Sequence, residues 1–160
     1  MNGQGGQSGY SGQSGILVID KHPEWTSFDV VAKLRSVLKV RRIGHGGTLD
    51  PMATGVLPVF FGRATRAVGF CEKADKEYIA EIRFGITTDT QDVWGTILKT
   101  NTVDLTVEKL QEVIPQFLYK QKQVPPMYSA IKIGGKKLYE LARKGIEVER
   151  PPRDVYISEI

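Results

Sequence analysis

A chain of 160 residues, 41% hydrophobic and 25% charged, has the size and make-up of one ordinary globular domain around one core, which excludes disordered, fibrous and collagen-like classes. The single cysteine, Cys71, excludes an internal disulfide, and two histidines fall short of the usual Cys/His set of a structural zinc, so a reducing cytoplasmic setting is expected. The net charge of +4 is uneven: residues 33–66 carry seven Lys/Arg against one acid, residues 119–153 carry nine against three, and the rest is net acidic, leaving two basic zones that either bind a polyanion or simply solvate exposed faces.

Residues 1–15, nearly all Gly, Ser and Gln, have too few apolar side chains to offset ordering entropy and read as a disordered tail, with neither the basic residues nor the apolar core of a secretory signal. No run reaches the roughly 18 apolar residues of a membrane span, so no membrane partner is expected. Residues 16–160 form the domain. A short strand at Ile16–Ile19 precedes a helix capped by Ser27, with Val30, Val31, Leu34, Val37 and Leu38 at helical spacing. His45–Gly55, rich in glycine and holding Pro51, is an irregular surface loop and the obvious place for chemistry. Val56–Phe61 reads as a buried strand, and Lys76–Phe84 alternates apolar and polar residues as a half-buried strand does, with Tyr78 on the Ile82 face. A polar turn leads to a strand near Gly95–Lys99. Thr106 then opens a second amphipathic helix running through Phe117. Tyr128–Ile133 is a strand ending at the Gly134-Gly135 turn, a short helix holding Leu138 and Leu141 closes at Gly145, and strand character returns at Ile146–Glu149 and around Val155 and Ile157, the last with no obvious partner. Strands mixed with helices and joined partly by hairpin turns indicate an α+β domain.

The run Gly44–Asp50 fails both glycine fingerprints for nucleotides: a dinucleotide or Walker loop counted from Gly44 needs glycine where Leu49 stands. The segment from Asp89 to Gly95 misses the calcium loop, because Val93 occupies the place of the third oxygen ligand. Metal and nucleotide cofactors are therefore not expected. Cys71 has no activating neighbour and reads as structural. Asp50 is the lone acid of the first basic zone, flanked in sequence by Arg41, Arg42, Arg63 and Arg66; positive charge near a carboxylate favours its anionic form, which suits a nucleophile. Taken singly, Asp50 before Pro51 equally fits a turn residue, His45 a structural histidine and Tyr78 a core aromatic.

Three stretches, GHGGTLDPMATGVLP, DKEYIAEIRFGITTDTQDVWG and QVPPMYSAIKIGGKKLYELARKGIEVERPPR, occur in the order found in bacterial TruB-type tRNA pseudouridine synthases, which the chain resembles from about Gly15 to Ile160. The resemblance implies a mixed, mainly antiparallel sheet with flanking helices and isomerisation of a T-loop uridine in tRNA. By the same resemblance Asp50 is the catalytic nucleophile, Tyr78 stacks on the target uracil, and His45 contacts displaced nucleotides, with Gly47, Thr48 and Leu49 beside it at the substrate. It makes residues 123–153 a thumb-like insertion over the T arm. Arg41, Arg42, Arg63, Arg66, Lys132, Lys136, Lys137, Arg143 and Lys144 are then the candidate RNA contacts. Moving the glycosidic bond from N1 to C5 involves no net redox change, so neither cofactor nor metal is implied, and no obligate protein partner is expected.

Two departures stand out. His22 and Glu24 in DKHPEWTS occupy places where the family has Pro and Gly. The chain also ends before the family's Ser-Lys-Gly-Thr-Tyr-Ile-Arg segment, whose arginine pairs with the nucleophile; Arg63 and Arg66 are substitutes on charge alone. From this follow two expectations: an alternative role as a tRNA-binding or RNA-folding module impaired in catalysis, and self-association through an unpaired strand near Val155.

Overall fold

The computed structural model describes residues 13–160. The chain divides into two compact units, the first reaching Ile79 and the second spanning Ala80–Ile160, and the buried apolar cluster found among the described residues lies in the first.

In the first unit, β1 (Gly15–Lys21) and β2 (Ile43–His45) both pair antiparallel with β3 (Gly55–Phe61), giving the order β1-β3-β2. Most of the expected tail, residues 1–12, lies outside the described residues. Its last residue, Gly15, is already sheet, opposite Phe61, and Ser14 Oγ accepts the Arg63 backbone N–H at 2.8 Å. Alternation along β1 turns Leu17, Ile19 and Lys21 toward α1 (Ser27–Leu38), whose Val30 and Val31 pack with Ile43, Leu57 and Val59 as the buried cluster. The helix cap is Thr26, not Ser27. Thr26 Oγ1 accepts the Asp29 N–H at 3.1 Å while the Asp29 carboxylate accepts the Thr26 N–H at 2.8 Å, a reciprocal capping box. Those bonds from Thr26 hold the Asp29 carboxyl below its ordinary range. Ser27, released from capping, turns inward and is buried.

After β3 a 3-10 turn, Gly62–Ala67, leads into α2 (Val68–Glu72). Lys76–Phe84 is not a strand. Among the described residues it has no ladder partner, and Tyr78, Ile79 and Ile82 are exposed; alternation without a neighbouring strand satisfies no backbone group.

The second unit is built from separate two-stranded ladders: β4 (Ile86–Thr88) with β5 (Ile97–Thr100), β6 (Tyr119–Gln123) with β9 (Arg153–Ile157), and β7 (Lys132–Ile133) with β8 (Lys136–Lys137). Thr106 Oγ1 caps α3 (Val107–Val113) by accepting the Lys109 N–H at 3.3 Å. The α-helix stops there because Pro115 has no N–H for the next turn, and Ile114–Phe117 continues as 3-10. Of the strand expected at Tyr128–Ile133 only the last two residues pair. The Ser129 and Ile131 carbonyls are instead taken by the N–H groups of Tyr139 (3.1 Å) and Leu138 (2.8 Å) at the start of α4 (Leu138–Ala142). Ile146–Glu149 has no ladder partner among the described residues and is not a strand. The strand around Val155 does have a partner on one side: Tyr119–Gln123, unforeseen in the sequence, pairs along its whole length in a two-stranded ladder, which leaves β9 an edge strand with its other side unpaired among the described residues.

Candidate active site and nucleic-acid interface

Residues 46–54 join β2 to β3, and Asp50 sits between two anchors. On one side Ser27 Oγ donates to the Leu49 carbonyl at 3.2 Å and accepts the Leu49 N–H at 3.0 Å. On the other, the Pro51 carbonyl accepts from the Lys21 ammonium at 3.3 Å and from the Glu24 N–H at 2.8 Å. Lys21 is fully buried, and its ammonium also donates to the carbonyls of Trp25 (2.7 Å) and His22 (3.0 Å). A buried ammonium persists only when its donors are used, so this group gathers three carbonyls around the base of the loop. The Ala53 N–H donates to the Asp50 carbonyl at 3.0 Å, turning the chain over residues 50–53. The result is a carboxylate fixed through its backbone and free at its tip: Asp50 is exposed, with no ion pair among the described residues.

The rest of the loop is equally constrained. His45 Nδ1 donates to the Gly47 carbonyl, closing the loop's entry. Gly46 donates to the Pro58 carbonyl at 2.8 Å, and a Cβ on it would lie 2.8 Å from Cys71 Cβ and 3.0 Å from Phe60, so only glycine fits between them. Gly47 and Thr48 are exposed and Leu49 is half-buried. Glu24, at the place where the family resemblance expects glycine, has φ of 68°, so the turn keeps a left-handed conformation with a non-glycine residue in it.

The structure does not gather the arginines around Asp50. Lys21 stands opposite Gly55 and Gly15 opposite Phe61, so the Asp50 loop leaves from one end of the sheet. Arg42, whose carbonyl accepts the Gly62 N–H at 2.9 Å, and Arg63 lie at the other end, about 20 Å away along the seven residues of β3. Arg41 and Arg66 are exposed as well, and neither Arg63 nor Arg66 forms an ion pair with Asp50. The antiparallel register thus separates charges that are close in sequence. Tyr78 follows α2, whose Cys71 packs on Gly46; its side chain is exposed, and no hydrogen bond between it and the loop is seen among the described residues.

Sequence reasoning missed Lys21 and Ser27 as loop anchors. The available signal was Lys21 itself, a lysine at the inward position of an alternating strand after Leu17 and Ile19.

In the second unit the basic zone separates into two kinds of residue. Lys122 and Lys120 pair with Asp154 at 2.7 and 3.7 Å and Arg150 pairs with Glu147 at 3.0 Å, while outside the zone Lys109 pairs with Asp104 at 2.9 Å. Lys132, Lys136, Lys137, Arg143 and Lys144 form no ion pair among the described residues and occupy the β7–β8 hairpin and α4 with its end. No helix among the described residues is long and apolar enough to cross a membrane, and none of their His, Cys, Asp and Glu side chains cluster as metal ligands.

An α+β chain with an exposed aspartate on an anchored loop is matched, over residues 35–160, by the family model described as TruB family pseudouridylate synthase (N terminal domain). Its class is therefore that of the N-terminal domains of this family, and a chain from a crystal structure of a Cbf5-Nop10-Gar1 complex has a similar fold, with TM-score 0.50 and 28% identity, covering 73% of this chain and 30% of that one. The protein belongs to the TruB family. It is 52% identical over 91% of its length to a protein named tRNA pseudouridine synthase B from Lactococcus lactis subsp. lactis, of which it covers 45%. A protein of the same name from Fusobacterium nucleatum subsp. nucleatum is also 52% identical over 91% of the chain, which covers 51% of it. The chain thus spans about half the length of these relatives.

Proposed function

We propose that this chain carries the nucleophile and part of the RNA-binding surface of a cytoplasmic tRNA pseudouridine synthase acting on a T-loop uridine. The observation that supports this most directly is the Asp50 carboxylate, exposed and without an ion pair among the described residues, on a loop anchored on both sides by Ser27 and Lys21. In the isomerisation the bond from C1′ to N1 breaks, a bond from C1′ to C5 forms, N1 gains a proton and C5 loses one. Atoms and electrons balance without a redox partner. Asp50 serves as the nucleophile in the covalent step, the role carboxylates take in retaining glycosidases. The target base leaves its stack, and Tyr78, exposed after α2, receives it; stacking of this kind is worth about 1–3 kcal/mol per base. His45, Gly47, Thr48 and Leu49 line the approach, and the unpaired cations of the second unit hold the T arm through its phosphates.

The absence of a cationic partner for Asp50 among the described residues favours a second reading, a tRNA-binding module without turnover. Single-turnover conversion of an unmodified T-arm stem-loop, with Asp50→Asn beside the parent, separates the two. Product from the parent and none from Asp50→Asn is the expected result. Binding without product from either assigns this chain the module role.

A further inference from the structure

Resting on the reading of the second basic zone as an RNA surface, we propose that Tyr139 is a positioning residue that presets Lys137 and Arg143 as one clamp for a backbone phosphate. Arg143 Cζ lies 5.2 Å from the Tyr139 ring centroid and Lys137 Nζ lies 5.3 Å from it. Lys137 Nζ also donates to the Tyr139 hydroxyl at 3.2 Å. The ring attracts the Arg143 guanidinium and its hydroxyl oxygen takes a hydrogen bond from Lys137, and since neither contact neutralises a charge, both cations stay available to one anion.

The backbone explains why the three meet. Arg143 follows Tyr139 by four residues, and its N–H donates to the Tyr139 carbonyl at 3.1 Å, so the guanidinium is carried over the ring by helical spacing. Lys137 ends β8 and its neighbour Leu138, fully buried, fixes the start of α4, which holds the lysine stem beside the ring. The adjoining hairpin tip, Gly134-Gly135 with φ of 57° and 81°, has no atom within 4 Å of where a Cβ would stand at either residue, leaving room for a nucleic-acid backbone. Neither cation is neutralised by a carboxylate among the described residues, unlike Lys120, Lys122 and Arg150 nearby in sequence. The ligand that two such cations suit is a phosphodiester, whose anionic oxygens take hydrogen bonds from lysine and arginine whatever the base sequence.

The test is binding, by fluorescence anisotropy over a salt series, of the 160-residue chain to two probes: an unmodified T-arm stem-loop and an unrelated RNA hairpin of the same length. Lys137→Gln and Arg143→Gln are each expected to lower the slope of log Kd against log salt by about 1. Tyr139→Leu is expected to weaken both probes about fivefold, Tyr139→Phe less, and Tyr139→Leu to have no further effect once Lys137 and Arg143 are both Gln. Melting of each variant is followed in parallel. A Tyr139→Leu loss of the same size with and without the two cations, or no loss at all, overturns the clamp. Equal binding of the two probes by the parent, with the Tyr139 dependence intact, overturns the T-arm reading and leaves the clamp standing; binding to neither overturns both.

Discussion

The two units of this chain solve different problems. The first sets a helix against three strands and buries Val30, Val31, Ile43, Leu57 and Val59 in one cluster, with a lysine as the polar plug at its edge. The second has Leu138 as its one fully buried large apolar side chain among the described residues, and α3 buries none. Each of its ladders has two strands, the least a sheet can have and marginal alone. The contrast suits the two roles proposed above. A nucleophile has to be held within a fraction of an ångström, which calls for a loop clamped to a packed core. A surface proposed to grip an irregular RNA through phosphates gains from short, weakly buried elements that adjust.

The strongest way to break that comparison is to remove the plug. Lys21→Met leaves the carbonyls of His22 and Trp25 without their ammonium and Pro51 with one donor instead of two, and is expected to destabilise the first unit by about 3 kcal/mol. Amide exchange should rise across β1, β3 and the Asp50 loop and stay unchanged in β6 and β9; a loss below about 1 kcal/mol in urea unfolding would show that the carbonyls are satisfied by water and the loop is held by Ser27 alone.

A smaller change should sharpen the contrast. Glu24→Gly relieves a left-handed residue at the turn that donates to Pro51, and is expected to stabilise the first unit by about 0.5–1 kcal/mol after the greater unfolded-state freedom of glycine is set against it. Thermal melting reads the gain, a rise of a few degrees; a lower melting temperature would mean that the Glu24 side chain contributes more than its backbone costs.

The smallest effect concerns the α1 cap. The Asp29 carboxyl is held below its ordinary range by the Thr26 hydroxyl and N–H, so its contribution is present above the ordinary carboxylate value and disappears as pH falls through the lowered folded value. Asp29→Asn should therefore be less stable than the parent at neutral pH and converge with it in acid. Parallel melting curves at every pH would remove Asp29 from the cap.

Much of the local structure was legible before any tertiary contact was known. The helix at Val30–Leu38 follows from its apolar spacing, the cap of α3 from Thr106, and the β7–β8 hairpin from Gly134-Gly135. The glycine-rich loop around Asp50 stood out for the same reason, since its glycines and Pro51 leave it no regular structure to join. Errors arose wherever the outcome depended on a distant partner. Lys76–Phe84 carries the alternation of a strand, yet no described strand lies beside it. Tyr119–Gln123 carries little apolar signal and is a strand because Arg153–Ile157 pairs with it. Thr26 displaced Ser27 as cap because Asp29 stands three residues on to reciprocate, while Ser27 was needed at Leu49.

By itself the sequence determined the α+β class and the two basic zones, because each rests on residue identity and short-range spacing, while its resemblance pointed to the family and to Asp50 as the candidate nucleophile. Only the tertiary structure decided that Lys21 and Ser27 hold the Asp50 loop, that Arg42 and Arg63 stand at the far end of the sheet from it, and which cations of the second zone are already neutralised. Those facts depend on register and on contacts between residues tens of positions apart, and a hydrogen bond or an ion pair forms according to distance in space, which spacing along the chain does not encode.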